Sequence, residues 1–114
     1  MKSNTIKYTF SVLIVALLFI SCGQPVPPEK ISYVGEWKSN EMYLLITPDG
    51  SVNYERLKGG ATTTVSGPIK EFQGDNFVVG IAFIKTTFVV SKTPYQENGL
   101  WKMTVDGVEL TKIL

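Results

Sequence analysis

From Ser32 to the C-terminus, turn signals recur about every 8–12 residues and cut the chain into short segments with a β pattern. Asp106-Gly107 is the clearest of them, standing between Leu100–Val105 and Val108–Ile113. A two-residue Asp-Gly loop selects a tight turn with positive φ at both positions, and its twist matches that of the flanking strands. With Val105 opposite Val108, the side chains of Trp101, Met103, Val105, Val108 and Leu110 share one face, the candidate core face. Pro48-Asp49-Gly50 supplies a fixed φ, a side chain able to bond the backbone and a residue free to take positive φ. It therefore turns the chain between Met42–Thr47 and Val52–Leu57. Gly59-Gly60 is a second hairpin turn, leading into Ala61–Val65. There Thr62-Thr63-Thr64 is good composition for an edge strand, and Gly67-Pro68 is expected to end it. After a turn at Gln73–Asn76, Phe77–Ile84 is apolar at both parities. That pattern predicts a strand buried on both faces, or one broken at Gly80 by a bulge or a turn. Thr86–Ser91 is the next strand, and Lys92–Gly99 is a loop turning at Asn98-Gly99. The reading leaves room for a short helix near Ser39–Glu41 or Ile69–Phe72, but nowhere in this region does a helical period stand out. The expectation is an all-β domain, a small antiparallel meander of about seven or eight strands with turns every 8–12 residues, closed as a barrel or stacked as a sandwich.

The N-terminal stretch follows a different logic. Lys2 and Lys7 precede the apolar run Phe10–Ile20, and Ser21-Cys22-Gly23 closes it. A basic start, a short apolar middle and a small residue at the cleavage point are the parts of an export signal. The run is short of the roughly 20 residues that a membrane-spanning helix needs. Cys22 is the only cysteine. Ile20-Ser21-Cys22 resembles the lipobox of bacterial lipoproteins, with Phe19 where that family prefers Leu. The resemblance implies cleavage between Ser21 and Cys22, and lipid (palmitate among the acyl chains) on Cys22. It also implies a cell-envelope protein, with Gly23 in place of Asp favouring the outer over the inner membrane. Three segments follow: a signal peptide over 1–21, a lipidated cysteine with a Pro-rich tether over 22–31, and a small β domain over 32–114. Pro25, Pro27 and Pro28 make the tether extended and semi-rigid, rising about 3.1 Å per residue where it is polyproline-like.

Charge and residue inventory narrow the chemistry. Eleven basic residues stand against ten acidic ones, and removal of Lys2 and Lys7 with the signal leaves a slight acidic excess. This balance argues against a nucleic-acid partner, which demands a basic face, and against a polybasic second membrane anchor. The chain has no histidine, and Cys22 is committed to lipid, so the Ser–His and Cys–His nucleophiles and the usual zinc sites are missing. No cofactor and no metal are expected. What remains for catalysis is carboxylates, and Asp49, Asp75 and Asp106 belong to turns while Glu109 flanks the last hairpin. A carboxylate-based hydrolase is thus the remote alternative.

Gly35-Glu36-Trp37, at the start of the β region, resembles the Gly-x-Trp opening motif of lipocalins, in which the Trp closes one barrel end beneath the first strand. That resemblance implies a barrel, and with it carriage of a small apolar ligand near Trp37. The plainer reading makes Trp37 a core-edge aromatic and Gly35 a bulge. Most other aromatics are needed for the core of so small a domain. Tyr95, placed in a loop beside Pro94, is the candidate exposed contact. The functional expectation is a membrane-anchored lipoprotein whose β domain is not an enzyme but a binding or accessory module. Its partner would be an envelope protein or a small apolar ligand, and the lipocalin-like carrier is the alternative.

Overall fold

The computed structural model describes residues 24–113, so the expected signal, its cleavage position and Cys22 lie outside the described residues. After a 3-10 helix at Pro28–Tyr33 come nine strands: β1 Gly35–Lys38, β2 Met42–Ile46, β3 Ser51–Lys58, β4 Ala61–Gln73, β5 Asn76–Ile81, β6 Ile84–Phe88, β7 Val90–Glu97, β8 Leu100–Val105 and β9 Val108–Ile113. They form a single antiparallel sheet in the order β6-β5-β4-β3-β2-β1-β9-β8-β7. This is the expected meander, with slightly more strands. It is one curled, barrel-like sheet rather than a stacked pair. The first and last strands lie side by side in its middle, with Glu36 opposite Ile113. Its outermost strands, β6 and β7, are consecutive in the chain and separated only by Val89.

The β8–β9 hairpin has the expected register, Val105 opposite Val108 and Met103 opposite Leu110. Three expectations are corrected. First, Gly67-Pro68 does not end a strand, because β4 runs through it for 13 residues. The reason lies in the hairpin before it. Gly59 and Gly60 take φ of 59° and 80°, and Lys58 opposes Ala61 across them. The pair flanking a two-residue loop exchanges both backbone hydrogen bonds, and bonding alternates from there. Ala61, Thr63, Val65 and Gly67 therefore aim their backbone groups at β3, whereas Thr62, Thr64, Ser66 and Pro68 aim theirs away. The N–H that Pro68 lacks is not one that β3 uses.

Second, the expected loop over Lys92–Gly99 is a strand as far as Glu97. Its pairing with β8 slips between Val90 and Lys92 and again between Lys92 and Tyr95, as suits a segment in which Pro94 has no donor. The Asn98-Gly99 turn is where the sequence places it. Third, of the two readings of Phe77–Ile84 the break at Gly80 is the one corrected: the run is buried at both parities from Phe77 to Gly80, and β5 passes straight through Gly80 and turns at Ala82-Phe83. Glycine is needed at 80 because a Cβ there would collide with the carbonyl oxygen of Ile84. Neither site of a possible short helix is helical. Ser39–Glu41 is the β1–β2 turn, where the Ser39 Oγ accepts from the Met42 N–H at 3.1 Å, and Ile69–Phe72 lies within β4.

Alternation carries one face of each strand into a common core. Trp37, Leu44, Phe77, Met103, Val105 and Leu110 are fully buried there. Phe77 stacks on Phe88 with centroids 5.0 Å apart, and Tyr54 meets Phe88 edge-on at 4.8 Å. The Pro-rich segment does not stand off from this domain. Val26 is buried, and its N–H donates to the Pro48 carbonyl at 3.0 Å. Further on, the Lys30 Nζ donates to the Gly74 carbonyl and the Tyr33 hydroxyl to the Asp75 carbonyl, each at 2.8 Å. From Gln24 onward, the expected tether is a strap laid across the β2–β3 and β4–β5 turns.

Candidate functional site

The two residues singled out as ligand contacts are not brought together. Trp37 follows the 3-10 helix on β1 and faces the core with no exposed surface. Its Nε1 donates to the Tyr33 carbonyl at 2.9 Å. Lys112 crosses above it, with Nζ 4.8 Å from the Trp37 ring and 5.7 Å from that of Trp101, and donates to the Ser32 carbonyl at 3.2 Å. Burial lowers the Lys112 pKa, and the two indole faces supply part of the attraction that offsets it. Trp37 therefore packs one end of the sheet, and its contacts are with the protein itself.

Tyr95 lies on the opposite surface. It is paired with Lys102 on β8, whose neighbour Met103 faces the core. The Tyr95 hydroxyl donates to Glu109 Oε2 at 3.3 Å, and Lys102 Nζ stands 3.1 Å from Glu97 and 3.5 Å from Glu109. Desolvation and then the Glu109 carboxylate raise the Tyr95 pKa, while the hydrogen bond to Glu97 leads in raising that of Lys102. Exposed networks of this kind contribute little to stability; this one fixes the orientation of the phenol.

Of the carboxylates weighed for catalysis, only Glu109 has a second one near it, Glu97 across Lys102; the other three stand apart. Asp49 bonds the Thr47 hydroxyl, which holds its carboxyl below the usual range. Asp75 stands 3.6 Å from Lys30, and Asp106 Oδ1 accepts from the Val89 N–H at 2.8 Å. Among the described residues, no group of three or more metal-ligating side chains occurs. Outer grooves of about 310 Å³, between Gln24–Pro27 and Ile69–Phe72, and about 200 Å³, around Ser39–Tyr43 and Leu57, mix apolar and charged linings.

The most distinctive surface was not among the expected sites. β5 takes up the outer side of β4 only from Ile69 onward. The Ala61–Gly67 half is paired with β3 alone among the described strands. By the alternation set at the Gly-Gly turn, Thr62, Thr64 and Ser66 present both backbone N–H and C=O to this open side, and their side chains are exposed. No residue from Gly59 to Gly67 is charged. Natural edges are ordinarily blunted by lysine, proline or a bulge. This one is not.

The β5–β6 tip stands where the open stretch ends. Phe83 is 89 % exposed, flanked by Ile81 at 62 % and Ile84 at 68 %, and Ala82 takes φ of 57°, an uncommon conformation for a residue with a Cβ. Ile81 Cγ1 lies 3.5 Å from where a Cβ on Gly67 would be, so the tip abuts the open edge. The triple Thr was the sequence signal for an edge. Phe83 carried none, because its apolar run reads as buried. No family model, characterised protein or solved structure matches the chain.

Proposed function

We propose that the chain is a cell-envelope lipoprotein, held to the membrane by lipid on Cys22, whose β domain is a non-enzymatic binding module that receives an extended strand along the open side of β4. The observation that carries this reading is the uncharged edge at Thr62, Thr64 and Ser66, with the exposed Phe83 tip beside it. Unpaired backbone groups in a preformed row supply affinity for an added strand, and an adjoining apolar contact supplies selectivity. The direction of the chain supports it as well. Gln24–Val26 enters beside the β2–β3 turn, while the open half of β4 runs the other way, toward Gly59-Gly60. An anchor just before Gln24 thus leaves the edge pointing away from its point of attachment. Two acyl chains or more hold a protein stably in a bilayer, and Gly23 favours the outer membrane.

The lipocalin-like carrier is the second reading, favoured by Gly35-Glu36-Trp37 on the first strand of a curled, barrel-like sheet. It is the weaker of the two because Trp37, Phe77, Phe88, Met103 and Leu110 fill the interior a ligand would need. Anchoring is tested by separating membranes from soluble protein in cells expressing the full chain. The native chain is expected in the membrane fraction, released by detergent, and Cys22→Ala in the soluble fraction. A Cys22→Ala protein that still sediments with membranes would sink the lipoprotein reading.

A further inference from the structure

We infer that the strand received at this edge is the same edge of a second copy of the chain, paired antiparallel across a twofold axis at Thr63. The inference rests on the binding-module reading for its edge and adds the identity of the partner.

Three features single out a second copy. The first is hydrogen-bond parity. With Thr62 and Thr64 facing outward, a twofold at Thr63 sets Thr62 opposite Thr64 of the other copy, and Thr64 opposite its Thr62. Each pair then exchanges both N–H···O=C bonds. The second is charge. A twofold brings a short edge against its own sequence, so a charged residue at or beside the axis would stand close to its own copy and repel it, and Gly59–Gly67 carries no charge. The third is shape. Ile81 already occupies the place beside Gly67, so an added strand must end there. In this register the residues of the second copy that reach Ser66 and Gly67 are Gly60 and Gly59. These two have no side chain, and nothing lies within 4 Å of where a Cβ on either would stand. The Gly-Gly turn of each copy thus fits against the Ile81–Phe83 tip of the other, covering Phe83. The seam is short and the contact small, which makes the pairing weak in free solution. Two chains anchored in one bilayer meet at a far higher effective concentration.

The test uses the full chain in membranes of expressing cells. Residues facing each other at a non-hydrogen-bonded antiparallel position have Cα atoms about 4.5 Å apart, within reach of a disulfide. Thr63→Cys is therefore expected to give a disulfide-linked species of twice the chain mass on mild oxidation. Adding Thr64→Pro removes an N–H that faces the second copy and none that faces β3. It should cut that species about tenfold or more, the effect of losing two hydrogen bonds per contact, one from each copy. Thr64→Lys, which places like charges near the axis and leaves the backbone intact, should do the same. Thr63→Cys that stays monomeric, or that dimerises equally with Thr64→Pro and Thr64→Lys, overturns the inference. A cross-linked species of another mass, abolished by Thr64→Pro, overturns the second copy while keeping the edge as a docking site. The unaltered chain is the control for the anchor. If it forms disulfides itself, Cys22 is a free thiol and the lipid reading fails, and the seam is then read from Thr63→Cys combined with Cys22→Ala.

Discussion

Tyr33 is the residue at which the strap becomes the domain. Its carbonyl accepts from Trp37, its hydroxyl donates to the Asp75 carbonyl, and its ring meets Phe72 edge-on at 5.7 Å and Phe77 at 6.3 Å. Burial, with the Asp75 carboxylate adding to it, pushes the phenol from an ordinary 10.0 up to about 12. The folded pKa is thus raised above the unfolded one. The protonated phenol contributes fully to stability below pH 10.0, and the contribution is lost as pH rises through about 12. Lys112 acts oppositely: its lowered pKa makes its charge a burden on the fold, one that eases as pH rises through the lysine range. Tyr33→Phe separates the two. We expect it to cost about 1 kcal/mol at neutral pH, for the lost hydrogen bond, and to flatten the alkaline loss of stability. Denaturant melts of both proteins across this range, read by tryptophan fluorescence, check it. An equally steep alkaline decline in the variant would remove Tyr33 as the cause.

At the scale of elements, the strap is the part whose removal can be engineered most cleanly. Gly50 takes φ of 85°, and a Cβ there would collide with the Gln24 carbonyl oxygen. Gly50→Ala is therefore expected to lift Gln24–Val26 off the domain and, by placing a Cβ at positive φ, to strain the β2–β3 turn, while the strand ladders stay paired. The readouts are faster hydrogen exchange at the Val26 amide, which loses the Pro48 carbonyl, and quicker tryptic cleavage after Lys30. A Val26 amide that stays protected would show that the strap is held by other means.

The same elements show what a sequence can and cannot disclose. The β8–β9 hairpin was legible to the residue because Asp106-Gly107 and the alternation around it are local signals. The strap was not. Three prolines describe how stiff a segment is, not whether Val26 has a buried place to go. β7 was hidden by Pro94, which weakens a ladder without preventing an irregular one, and so Tyr95 read as a loop residue. The open edge was half legible. Thr62-Thr63-Thr64 fits an edge, but its openness depends on β5 joining β4 only at Ile69, a tertiary fact. Phe83 was misread for a related reason, since the turn falls past Gly80, at a non-glycine residue with positive φ.

Over the whole molecule, the sheet is strong through its middle and joined lightly where its ends meet. β1 pairs with both β2 and β9, so the first and last strands are sealed within continuous ladders. At the meeting of β6 and β7 the ladder is replaced by individual bonds to the bend. The Asp106 N–H donates to the Val89 carbonyl, and its Oδ1 accepts from the Val89 N–H, each at 2.8 Å. The Asn76 Oδ1 accepts from the Val90 N–H at 2.8 Å. Losing both side-chain acceptors costs about 1 kcal/mol or less at the exposed Val89 N–H, which water can meet, and about 1–3 kcal/mol at the Val90 N–H, whose residue is buried. Asp106→Ala adds the strain of a φ of 48° on a residue less tolerant of it than Asp or Asn. Asp106→Asn keeps both the acceptor and the tolerance. We therefore expect Asn76→Ala with Asp106→Ala to open the sheet at this bend first. Amides of β6 and β7 should exchange through local opening while those of β2 and β3 still exchange only by global unfolding, and Asp106→Asn alone should leave both near native rates. Uniform acceleration across all strands would instead mean that the bend is cooperative with the core and that the sheet opens only as a whole.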